Sequence, residues 1–144
     1  MSTAKPNGRK PRYLLDTSAI LTLTDNEPGV EAVILLLEKA NRGELHLYIS
    51  FMTAMEAGYK MYQGKGENGL ADIISYIQQL PVTRVDISDE LIALAARMKG
   101  SHRMSVADAW ILATAKQLGA TLIHKDPEFE QAKTEVELHP LPYR

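Results

Sequence analysis

Short apolar runs recur along the chain at Tyr13-Leu14-Leu15, Leu45 to Ile49, Val82 to Ile87 and Thr121-Leu122-Ile123, with amphipathic stretches between them. Successive strands joined by helices of about ten or more residues pair in parallel through right-handed crossovers. The alternation therefore predicts an α/β sandwich with a mostly parallel sheet covered on both faces. The punctuation agrees. A helix starts at Thr17, and a second begins with Pro28 in its first turn and stops near Asn41 before a Gly43 cap. Ser50 caps a helix through about Tyr62, Gly64-Lys65-Gly66 breaks the chain, and a further helix over about Leu70 to Leu80 is closed by Pro81. Ser88 caps a helix through Met98, and Ser105 opens another that Gly119 ends. Asp126-Pro127 reads as a turn and Val136 to Leu138 as a last strand.

The 144 residues suit one ordinary domain, expected over residues 13–144, with residues 1–12 as a flexible basic arm. In that arm Lys5, Arg9, Lys10 and Arg12 occur without an acid and read as a solvated tail. No apolar run approaches the roughly 20 residues of a membrane span, and the N-terminus has no secretory-type apolar stretch. With no cysteine, a metal here needs oxygen or imidazole ligands, and the expected location is the cytoplasm. A net charge of −2 argues against a general electrostatic grip on nucleic acid, so a nucleic-acid enzyme of this charge needs a local basic patch, a basic partner or metal ions.

Among 18 acidic residues, position selects four. Ligands of open parallel sheets bind beyond the carboxyl ends of the strands. Asp16 ends the first strand and Asp126 follows the Thr121 strand by a few residues. Asp108 stands near the start of the helix that leads into that strand, so it begins at the same edge. Glu56 lies one to two turns into the helix after the Leu45 strand, with a side chain long enough to reach back. It is expected to be the least well placed of the four. Asp108 and Glu56 are flanked by small and apolar residues, which points to partial burial. Like charges so buried are relieved by a hard divalent cation such as Mg²⁺ or Mn²⁺.

Each acid also has a structural role open to it. Asp16 can cap the following helix, and Asp108 stands at capping-box spacing from Ser105. Glu56 can pair with Lys60, and Asp126 can serve the turn at Pro127. Four such coincidences at one edge are improbable together. Thr17 and Ser18 are weaker candidates, able to orient the Asp16 carboxylate or simply to cap the helix. His102 and Arg103 are candidates for phosphate contact, and His124 lies near the rim. There is no phosphate loop and no G-x-S-x-G elbow.

Leu14-Leu15-Asp16-Thr17-Ser18, the acid within Ser50 to Gly58, Ser105-Val106-Ala107-Asp108-Ala109 with Ala113-Thr114-Ala115, and Gly119 to Phe129 closing on Asp126 together resemble a PIN-domain ribonuclease. Within that family the chain is most similar to the VapC-like toxins of toxin–antitoxin pairs. The resemblance covers about Tyr13 to Leu138. It implies a three-layer α/β/α fold and an Mg²⁺- or Mn²⁺-dependent endoribonuclease. The metal and catalytic acids carried over are Asp16, Glu56, Asp108 and Asp126, and the products implied are 5′-phosphate and 3′-hydroxyl ends. It further implies a homodimer and a small antitoxin that blocks the acidic site. The chain departs from the pattern at His124-Lys125-Asp126, where the family commonly has Thr or Ser two residues before the acid. Other readings of the same acids are a PIN-fold scaffold in an RNA–protein assembly, and a metal-dependent phosphatase or DNA nuclease on a related fold.

Overall fold

Successive side chains of a strand point to opposite faces, and the first strand, β1 (Arg12–Leu15), divides its residues accordingly. Tyr13 and Leu15 enter one apolar core and Leu14 the other. In the computed structural model, which describes residues 8–143, β1 lies at the centre of a five-stranded sheet of order β3-β2-β1-β4-β5. All four pairings are parallel. Most of the basic arm expected over residues 1–12 lies outside the described residues.

The other strands are β2 (His46–Ser50), β3 (Thr83–Val85), β4 (Thr121–His124) and β5 (Leu138–Pro140). Between them run α1 (Thr17–Thr24), α2 (Val30–Asn41), α3 (Phe51–Gln78), α4 (Asp89–Ser101) and α5 (Val106–Leu118). Helices α1, α2 and α3 cover one face through Ile20, Val33, Leu36, Ile73 and Ile77, which meet Leu47, Ile49 and Ile123. Helices α4 and α5 cover the other through Leu91, Met98, Ile111 and Leu112, packed with Leu14, Leu122 and Phe129. The result is the expected α/β/α sandwich, with a sheet that is wholly parallel. Among the described residues no helix is long and apolar enough to cross a membrane.

The predicted caps at Ser50, Ser88 and Ser105 are present: their hydroxyls accept the amides of Met52, Leu91 and Asp108, each at 3.1 Å. Gly119 closes α5 at φ 62°, and the Arg12 guanidinium donates to the Leu118 carbonyl at 3.0 Å. Several boundaries differ from expectation: the strand expected over Val82 to Ile87 is only Thr83–Val85, and the helix expected through Met98 runs on to Ser101. Pro28 precedes α2 rather than lying in its first turn, because Gly29 adopts φ 98° and helical geometry starts only at Val30. The last strand begins at Leu138, not Val136, because Pro127–Ala132 forms a 3₁₀ turn whose end ties the Val136 amide to the Ala132 carbonyl at 3.0 Å. The expected break at Gly64-Lys65-Gly66 is present as a sharp kink at Gly66, where two helical segments of α3 meet.

That kink rests on Gly66, whose φ of 65° and ψ of −152° fall in a region reserved for residues without a Cβ. A Cβ there would meet nothing within 4 Å, so backbone strain alone opposes substitution. Gly66→Ala is expected to lower stability by about 1–3 kcal/mol in urea unfolding, with an unchanged slope. A neutral result would show that the kink relaxes into continuous helix.

Candidate active site

The outward connections of β1 and β4 leave the sheet in different directions at their carboxyl ends, which opens a crevice between them. Asp16 stands there. Its amide donates to the Ile123 carbonyl at 3.0 Å, extending the ladder one step beyond β1. Its carboxylate accepts the Ser18 amide at 3.1 Å and the Ser18 hydroxyl, and so caps α1. Ser18 in turn accepts the Lys125 amide at 3.0 Å. One hydroxyl thus joins the start of α1 to the end of β4.

Glu56 and Thr17 meet here as well: the Thr17 hydroxyl donates to Glu56 Oε1 at 2.7 Å. No ion pair forms between Glu56 and Lys60 among the described residues. On the α5 side, Asp108 is half-buried in the first turn, its amide held by Ser105. Asp126 accepts the Glu128 amide at 2.9 Å, which caps the 3₁₀ turn. Capping and proximity to the other acids therefore coexist at Asp16 and Asp126. Carboxylate oxygens of Asp108, Asp126 and Glu128 all lie within 4.8 Å of one another. Asp16 and Glu56 are not in that set, although the charge of Asp16 acts on Asp108 and that of Glu56 on Asp16.

The electrostatics follow from crowding. Asp16 is only 5% exposed, and burial pushes its carboxyl up to about 6 against the opposing Ser18 hydrogen bonds, with a smaller push from Glu56. Asp108 rises to about 8, first through burial and then through the charge of Asp16 and contact with Asp126. A nearby cation does not relieve them. Lys125 is buried beside Asp126, but its ammonium is turned to Glu27, 3.3 Å away. An all-oxygen donor set, crowded and short of countercharge, fits a hard divalent cation such as Mg²⁺ or Mn²⁺.

Glu128 was not among the acids selected from sequence. Its signal was the Asp126-Pro127-Glu128 spacing, in which a tight turn folds two carboxylates toward the same point. His124 occupies the end of β4 fully buried, its Nδ1 accepting the Asp126 amide at 3.1 Å and its ring edge-on to Phe129. Burial lowers its pKa, so it stands as a neutral support for the Asp126 turn. The phosphate-contact candidates His102 and Arg103 are held by residues other than these acids. His102 pairs with Glu135 at 2.8 Å, and the Arg103 backbone is held from both sides by the Gln131 amide.

Comparison with known proteins gives one matching family model, described as PIN domain, over residues 13–135. No curated protein matches significantly. Among solved structures, VapBC2 from Rickettsia felis, bound to a DNA fragment from its promoter, superposes with a TM-score of 0.73 at 16% identity, covering 91% of this chain and 99% of that one. VapC20 from Mycobacterium tuberculosis, described as a sarcin–ricin loop cleaving toxin, gives 0.66 at 16% identity over 83% and 94%. VapBC-5 from the same organism, a member of the VapBC family of toxin–antitoxin systems, gives 0.61 at 16% identity over 90% and 97%.

Both raised carboxyls hold their protons more tightly in the folded chain than in the unfolded one. Their effect on stability is therefore most favourable below about pH 4 and is lost as pH rises through about 6 and 8. For the metal-free protein, the Tm difference between parent and Asp108→Asn should move against the parent from pH 5 to pH 8, to be read as roughly two points of a thermal-unfolding series. Mn²⁺ should restore the parent at the upper pH and do little at the lower. A difference independent of pH would mean that Asp108 is not desolvated.

Proposed function

Because the chain belongs to the PIN-domain family, we propose that it is a divalent-metal-dependent endoribonuclease and the toxin of a toxin–antitoxin pair. The observation that carries this reading is the gathering of Asp108, Asp126 and Glu128 within 4.8 Å, with Asp16 buried behind them, at the carboxyl edge of β1 and β4. Residues 13–144 act as one catalytic domain in this reading. The similarity to VapC20, described as a sarcin–ricin loop cleaving toxin, supports RNA as substrate, and the likeness to VapBC-5 supports an antitoxin partner.

The chain's own groups divide the work. Asp16, Asp108 and Asp126, with Glu128 or Glu56 completing the set, would hold Mg²⁺ or Mn²⁺ through oxygen. When bound, such an ion lowers the pKa of a coordinated water and stabilises charge on the phosphoryl group. Asp126, the outermost of the paired Asp carboxylates, accepts the proton of the attacking water. The P–O3′ bond breaks, leaving 5′-phosphate and 3′-hydroxyl ends. Ser18 and Thr17 are positioning residues: their hydroxyls fix the Asp16 and Glu56 carboxylates. An apolar groove on α3, lined by Met55, Tyr59, Tyr62 and Ile74, supports docking of a protein partner, either the antitoxin or a second copy.

Purified protein should cut single-stranded RNA oligonucleotides with Mg²⁺ or Mn²⁺, spare DNA, and fall silent in EDTA. Loss of an outer-shell partner of a metal typically costs 10–100-fold, so Asp108→Asn, which removes a direct ligand, should lower the rate by more than roughly 100-fold. RNA left intact under every metal, or cut equally by Asp108→Asn, overturns the assignment. Induced expression should also arrest growth, and Asp108→Asn should abolish the arrest. Arrest that persists in the variant would separate toxicity from catalysis.

A further inference from the structure

Beside the acids lies a cleft of about 310 Å³ that shares Ser18 and Asp126 with them and is otherwise walled by Lys60, Lys125, Tyr143 and neighbouring apolar groups. Its size is at the lower end of the roughly 300–1,000 Å³ typical of ligand sites, enough for one nucleotide and too small for a duplex. Lys60 follows Glu56 by one helical turn, so both lie on the face of α3 turned to the acids. It is exposed and forms no ion pair among the described residues. Lys125 is spoken for by Glu27, which leaves Lys60 as the cation able to take a phosphate.

Tyr143 forms another part of the wall. Its ring is 40% exposed and is in contact with His124, at 6.1 Å between centroids and 40° between planes. His124 is itself backed by Phe129 at 5.2 Å. A ring held from one side and open on the other is a stacking platform, and stacking accepts any base because every base has a π-face. Cation, platform and the Asp126 carboxylate thus line one cleft.

From this arrangement, and resting on the ribonuclease reading of the acids, we propose that the cleft is a nucleotide subsite. It seats the residue adjoining the cleaved bond of single-stranded RNA, with its base on Tyr143 and its phosphate on Lys60.

The test uses the full chain, isotope-labelled and supplied with Mg²⁺, titrated with adenosine 5′-monophosphate, adenosine and inorganic phosphate in separate NMR series. The monophosphate should shift the Tyr143 ring and the Lys60 side chain together, whereas adenosine should move only the ring. Tyr143→Phe should preserve the response and Tyr143→Ala should remove it. In RNA cleavage, Tyr143→Ala should raise KM by about 5- to 100-fold with kcat little changed. Lys60→Met should reduce the salt dependence of RNA binding by a slope of about 0.7. A Tyr143 ring that ignores the monophosphate, or a Tyr143→Ala variant with parental KM, overturns the subsite while leaving cleavage intact. Conversely, a parent that cuts no RNA but answers to the nucleotide keeps the subsite and removes the ribonuclease reading.

Discussion

The parallel pairing of β1 with both β2 and β4 is the constraint on which the rest depends. It places the first strand of the chain at the centre of the sheet and aligns three carboxyl ends. Because the ladder runs on past β1 through the Asp16 amide to Ile123, the first residue after the strand cannot swing away. Ser18 then ties that point to Lys125 across 107 residues of sequence. A rigid junction at the opening of the crevice is what holds carboxylates from α1, α5 and the 3₁₀ turn in one place.

Rigidity at this point has an electrostatic consequence. Carboxylates brought together and partly removed from water repel one another and lose hydration, and both effects favour the protonated form. The rise of Asp16 to about 6 and of Asp108 to about 8 expresses that conflict. Lys125, buried next to Asp126, is the obvious internal remedy, yet Glu27 engages its ammonium 3.3 Å away. The buried cation is therefore committed to a different carboxylate, and the acids are left crowded without it. Perturbed groups of this kind, set in a crevice, mark functional sites more often than structural ones.

Much of this was legible in the chain itself. Asp16, Asp108 and Asp126 could be placed at one edge because strand ends and helix starts are local signals, carried by apolar runs and by capping residues such as Ser105. The bland alternatives were also legible, and Asp16 and Asp126 show that a cap and a close approach to other acids need not compete. Glu56 was expected to be the least well placed, and it binds Thr17 outside the closest group of acids. Glu128 joins Asp108 and Asp126 in that group, because a 3₁₀ turn after Asp126 folds it back. The same turn displaced the last strand by two residues.

What the sequence determined by itself was the order of strands and helices, the burial of alternate faces and the edge at which the acids stand. Periodicity, caps and chain direction are properties of neighbouring residues, and they suffice for those. Only the tertiary structure decided which oxygens come within reach, that Lys125 turns to Glu27, and that Tyr143 meets His124 and shares a cleft with Lys60. These outcomes depend on side-chain directions and on contacts between segments remote in the chain, and no local pattern encodes them.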